Sequence, residues 1–166
     1  MNNETKHPKL SPRERIFNEI TDLGNLECYS EELNLIIDLI CSYDQDIKLC
    51  TRTDTTPSSI IWNEKIIRLN LSDKREKGLP VMWDLLHEYG HLMDGDPGIK
   101  KLSIEEIILR EKSAWDKAQG VIEKILSSLI SSIPQFQAHR DKCLESYLRQ
   151  MNPQNFHHNK VESFYY

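Results

Sequence analysis

Three features are missing from this 166-residue sequence, and each absence removes a class of protein. No two cysteines form a C-x-x-C pair. Cys28, Cys41, Cys50 and Cys143 are even in number but widely spaced, which excludes a zinc ribbon and predicts four reduced thiols acting mostly as small buried hydrophobes. No dense Lys/Arg cluster occurs and the formal net charge is −5, so neither nucleic acid nor an anionic membrane surface is expected as the principal partner. Nor is there an uninterrupted run of about 18 apolar residues, the length a membrane helix needs. The most apolar late segment, Val121 to Ile133, is broken by Glu123, Lys124 and several serines. Met1 to Lys9 is hydrophilic and carries Glu4 and Pro8, without the apolar core of a secretory signal. The expectation is a soluble, cytoplasmic protein.

What is present is enough for one core: 39% of the residues are hydrophobic, so folding needs no metal or disulfide support. Residues 1–150 are expected to form a single domain and 151–166 a C-terminal tail, whose adjacent His157 and His158 cannot easily face one ion and read as surface residues. Ser11-Pro12-Arg13-Glu14 combines an N-cap serine, an early proline and a third-position glutamate, which predicts a helix from about residue 12 to Gly24. Ser30, with Glu31 and Glu32 behind it, predicts a second helix to about Tyr43 along Leu33, Ile36, Ile37 and Ile40. Short β-branched runs follow at 47–51, 59–62 and 66–71, and predict a small sheet with a tight hairpin at Asn63-Glu64. Lys74 to Lys77 reads as a solvated connection.

Pro80 fits the first turn of the next helix, which Gly95-Asp96-Pro97-Gly98 stops. Its apolar positions are Val81, Met82, Leu85, Leu86, Tyr89, Leu92 and Met93, and Asp84, His87, His91 and Asp94 make one polar stripe on the other face. His87-Glu88-Tyr89-Gly90-His91 reads H-E-x-x-H. On a helix, four residues advance slightly more than one turn, so both imidazoles reach one ion. Glu88 between them can take a proton from water activated by that ion. Ser103-Ile104-Glu105-Glu106 is a capping box opening a long helix to about Leu129. Glu111 falls in the middle of that helix's apolar stripe, between Ile108 and Trp115. A buried unpaired carboxylate costs several kcal/mol, so Glu111 needs a positive partner. A metal held by two histidines supplies one, and a salt bridge to a basic side chain is the alternative. A last helix, roughly 135–150, follows Pro134 and ends at Asn152-Pro153.

His87-Glu88-x-x-His91 with Glu111-x-x-Ala114 downstream resembles the ImmA/IrrE group of small zinc metallopeptidases, and Ile66 to Asn70 looks like that family's strand before the active-site helix. The resemblance covers about residues 47–120. It implies an α+β, zincin-like minimal metallopeptidase domain of gluzincin type, with a small, mostly antiparallel three-stranded sheet and about five helices. It further implies zinc held by His87, His91 and Glu111, Glu88 as general base, and protein or peptide substrates such as repressors, commonly in bacteria and their mobile elements. The Ile66 to Asn70 strand is expected to offer its edge to an extended substrate. His139 and Tyr147 are candidates for stabilising the oxyanion, and Asp94 or Asp96 for a substitute ligand. The chain departs from the family where Asn or Asp often follows the alanine: Trp115 stands there, with Asp116 one place later. No helix-turn-helix segment is seen. The alternative function is a non-catalytic zinc-binding regulatory module on the same fold.

Overall fold

The computed structural model describes residues 10–74, 76–98 and 101–151, so the expected tail with His157 and His158, and the helix stop at Asn152-Pro153, lie outside the described residues. Helix α1 runs Pro12–Gly24 behind the predicted capping box: the Ser11 hydroxyl accepts from the Glu14 amide while the Glu14 carboxylate accepts from the Ser11 amide. The helix closes at Gly24, and Asn25, not the glycine, takes the left-handed position at φ 55°. Helix α2, Ser30–Tyr43, buries Leu33, Ile36, Ile37 and Ile40 as expected. Ser30 does not cap it; the helix grows directly out of a 3-10 turn at Glu27–Tyr29.

Three strands follow, β1 (Lys48–Arg52), β2 (Ser59–Ile61) and β3 (Ile66–Asn70), in the spatial order β1-β3-β2. The sheet is mixed, not mostly antiparallel: β1 pairs with β3 in parallel, Lys48 opposite Ile66 through Arg52 opposite Asn70, while β2 pairs with β3 antiparallel. The chain leaves β1, crosses to the far side and returns by the hairpin into the centre, which aligns the first and last strands. The hairpin is also looser than expected. Trp62–Glu64 form one 3-10 turn, and Lys65 at φ 52° completes a four-residue connection, since no Asn-Gly is present to make a two-residue one. Leu49, Ile60 and Ile67 meet in one row across the sheet, and the burial of Ile60 and Ile67 puts that row against the helices.

Helix α3, Leu79–Asp94, has Pro80 in its first turn and Gly95 at φ 82° after its last. It is the central element, packing against α2, β2, β3 and the two later helices. Helix α4, Ile104–Lys124, starts at the predicted capping box of Ser103 and Glu106 but ends five residues early. A 3-10 segment, Ser127–Ser132, replaces the rest. With three residues per turn, Leu126, Leu129 and Ser132 share one buried face, whereas Ile125 is 46% exposed. Helix α5, Ile133–Met151, packs on both α3 and α4, and its Phe136 meets Trp83 and Trp115 edge-on at 6.0 and 5.6 Å. The described residues thus form an α+β fold with five α-helices and a three-stranded sheet. No helix among them is long and apolar enough to cross a membrane. The cysteines are free thiols as expected, yet none is fully buried: Cys28 is exposed and the other three are half-buried.

Candidate metal centre

The polar stripe of α3 does not face water. Each of its four members meets a partner on another helix. Asp94, at the end, accepts from the Ser113 hydroxyl at 2.9 Å and pairs with the Lys117 ammonium, both on α4. Both contacts use Oδ1; Oδ2 is buried without a hydrogen-bond partner, and Asp94 is not part of the donor groups found among the described residues. Asp96 is exposed and accepts from the Gly98 amide in its own turn. One turn back from Asp94, His91 and then His87 face Glu111 of α4: His91 Nε2 lies 3.3 Å from Glu111 Oε1, and His87 Nε2 lies 3.2 Å from Glu111 Oε2. Asp84, at the start of the stripe, accepts from His139 Nε2 of α5 at 3.0 Å.

Glu111 is only 3% exposed, so it is buried in the apolar stripe as its position in the sequence requires. What brings it to the histidines is the closeness of the helix crossing. A Cβ at Gly90 would fall 2.2 Å from the Ala114 carbonyl oxygen, so the backbones of α3 and α4 touch there. Gly90 lies within the H-E-x-x-H run and Ala114 closes the E-x-x-A run; both are small because they meet each other.

The electrostatics favour positive charge between the two rings and the carboxylate. Burial drives His87 toward losing its proton, but the Glu111 and Glu88 carboxylates more than offset this and hold its pKa at about 10 instead of 6.5. Burial likewise favours neutral Glu111, yet His87 and His91 bring its pKa down from 4.5 to about 2. Even so, His87 Nε2 and Glu111 Oε2 are both buried without a hydrogen-bond partner, because they approach each other without the alignment of a bond. His87, His91 and Glu111 each offer one ligand atom within 4.8 Å of the other two. For a tetrahedral ion at metal–N about 2.1 Å and metal–O about 2.0–2.2 Å, neighbouring donors are separated by roughly 3.3–3.5 Å. The 3.2 Å from His87 to Glu111 Oε2 and the 3.3 Å from His91 to Glu111 Oε1 lie near that spacing, each histidine meeting a different oxygen of the carboxylate, so His87, His91 and Glu111 could hold a metal.

Glu88 is buried beside this set, with Oε1 3.6 Å from His87 Nδ1. Glu88, His91 and Glu111 line one cleft together with Ser59, Ile60 and Trp62 from the sheet side and Ile107 and Tyr147 from the helical side. The expected edge pairing through Ile66 to Asn70 has to be corrected. β3 is the middle strand, its main-chain groups taken by β1 on one side and β2 on the other, and it is β2 whose residues reach the cleft. Of the two oxyanion candidates, Tyr147 lines the cleft, whereas His139 is held by Asp84.

Trp115, where the resembled family often has Asn or Asp, has its ring stacked on the His87 imidazole, with centroids 4.2 Å apart and planes 16° apart. An apolar ring thus holds the histidine in orientation where a polar group would have bonded it. Periodicity alone does not signal this role, because Trp115 fits an apolar stripe equally well. In the sequence Asp84 reads only as part of the polar stripe and Cys143 only as a small hydrophobe, although Cys143 follows His139 by four residues, a spacing that puts both on one helix face. Comparison of the chain with family models, with curated proteins and with solved structures returns no match.

Proposed function

We propose that the chain is a zinc-dependent metallopeptidase of the ImmA/IrrE kind, acting in the cytoplasm on a regulatory protein. The observation that carries this is the pair of partnerless buried atoms, His87 Nε2 and Glu111 Oε2, facing each other beside His91 at the spacing of ligands around one ion. Two imidazoles and a carboxylate suit zinc, a borderline-soft ion commonly bound by N and O donors. Held by His87, His91 and Glu111, zinc would polarise the scissile carbonyl and lower the pKa of the attacking water.

The chain's own residues supply the rest. Glu88, next to the donors and on the cleft wall, takes the proton from the attacking water and gives it to the departing amine. Ser59 and Ile60 of β2 line the cleft, and this edge strand offers main-chain groups to an extended peptide, while Trp62 and Ile107 provide apolar wall. Trp115 keeps the His87 ring from turning. A closed structural zinc site takes four protein donors. The donor set here has three among the described residues and opens on a cleft, which favours catalysis over a non-catalytic binding module.

Metal analysis of the wild type against Glu111→Ala tests the ligand set, and equal zinc content in the two would remove Glu111 from it. Glu88→Gln is expected to keep its zinc and lose cleavage. Proteins encoded beside this one are the first substrates to incubate, with new termini read by mass spectrometry. A substrate cut by the wild type and equally well by Glu88→Gln would overturn the general-base assignment.

A further inference from the structure

A second set of donors lies one turn nearer the start of α3. Asp84 precedes His87 by three residues and faces α5, where Oδ1 lies 3.0 Å from His139 Nε2. Cys143 Sγ lies 3.7 Å from the same nitrogen, and one ligand atom from each of the three residues falls within 4.8 Å of the others. Asp84 is buried; His139 and Cys143 are half-buried.

Two simpler explanations leave part of this arrangement unexplained. An Asp–His ion pair accounts for Asp84 and His139 but not for a thiol directed at the same atom. A cysteine nucleophile activated by histidine needs the thiol and the carboxylate at opposite ring nitrogens, so that one side takes the proton while the other is held. Here both are at Nε2. Two donors an i,i+4 step apart on one helix with a carboxylate from its neighbour repeat the plan of His87, His91 and Glu111. A tetrahedral ion with metal–S about 2.3 Å and metal–N or metal–O about 2.0–2.2 Å separates neighbouring donors by roughly 3.3–3.6 Å. The 3.0 and 3.7 Å separations bracket that range.

We infer that Asp84, His139 and Cys143 form a second metal site, for a borderline-soft divalent ion such as zinc, which ties α5 to α3. Coordination converts the Cys143 thiol to thiolate and releases its proton to solvent. The rings of Trp83 and Trp115 lie 5.5 and 5.7 Å from that of His139 and shield one side of the site. Trp115 also stacks on His87, so one indole is shared between the two donor sets.

The test is titration of the full-length, phosphine-reduced, chelator-treated protein with cobalt(II) alone. A cobalt–thiolate bond gives a near-ultraviolet charge-transfer absorption that the N/O donors of the first site cannot give. The wild type is expected to bind two equivalents and to show the band. Cys143→Ser is expected to lose the band and one equivalent. Glu111→Ala is expected to lose one equivalent and keep the band, which separates failure of the first site from failure of this one. Cys28, Cys41 and Cys50 remain in every variant, so loss of the band assigns the thiolate to Cys143. His139→Gln provides a second route should Cys143→Ser fold poorly, and it too is expected to lose the band. Absence of the band from the wild type, or an undiminished band in folded Cys143→Ser or His139→Gln, would overturn the proposal.

Discussion

Gly90 stands where the two donor-bearing helices come closest, and a methyl group there has nowhere to go. Its nearest neighbour would be backbone, the Ala114 carbonyl oxygen at 2.2 Å, so relief requires α3 and α4 to move apart. Overpacking of this kind costs about 1–3 kcal/mol or more. Glu111 is one turn from Ala114 on α4, so the same displacement carries its carboxylate away from His87 and His91. Gly90→Ala is therefore expected to lose the zinc held by His87, His91 and Glu111, leaving only what the Asp84, His139 and Cys143 set holds, and to lower stability, read by metal analysis and by denaturant unfolding; undiminished zinc content would show that the helix contact does not set the donor spacing. The positions of His87, His91 and Glu111 were legible in the sequence because each follows from local periodicity. The reason for Gly90 was not, since a glycine inside a helical pattern looks the same whether or not another backbone lies against it. Trp115 was opaque for a related cause: its apolarity explains its burial, and only the neighbouring helix shows that its face rests on an imidazole.

Between α3 and α4, charge is arranged so that metal-free protein should respond to pH from both sides. The folded-state pKa of His87 is raised from 6.5 to about 10, so its contribution to stability is fully present below about 6.5 and is lost as pH rises through 10. That of Glu111 is lowered from 4.5 to about 2, so its contribution is present above about 4.5 and is lost as pH falls through 2. Together these groups give chelator-treated protein its greatest stability between about pH 4.5 and 6.5. Thermal unfolding in chelator across pH 3–10 checks this, and a midpoint that keeps rising from pH 6.5 to 9 would contradict it. Saturating zinc should reverse the alkaline limb, because the ion binds neutral imidazole and deprotonation then favours the bound state. The elements themselves were legible to different degrees. Capping boxes at Ser11 and Ser103 placed two helix starts, because the cap is chemistry confined to four residues. The end of α4 was missed because a stripe spaced for 3.6 residues per turn also accommodates a change to three, with Leu129 buried either way. The direction of β1 depends on how the chain crosses the sheet, which no local pattern encodes.

Across the whole molecule, metal binding should appear as stability. At a free zinc concentration 100 times its dissociation constant, one site adds about 2.7 kcal/mol, or roughly 5–10 °C in unfolding temperature for a chain of this size. Glu111→Ala should lose the share of the shift that this site supplies and keep only that of the Asp84, His139 and Cys143 set; a shift equal to the wild type's would mean that His87, His91 and Glu111 contribute none of it. The three donors of this site all come from one helical hairpin, α3 and α4, while the sheet contributes to the cleft only through the residues of β2 and the segments beside it. On the proposed function, reactivity and selectivity would reside in separate stretches of chain. On that reading Ser59 and Ile60 could drift in sequence, and with them the peptide that fits, without moving a ligand atom; α3 and α4 have no such freedom, since their backbones already touch. A family of descendants built on this chain would keep its helices and diversify its edge strand.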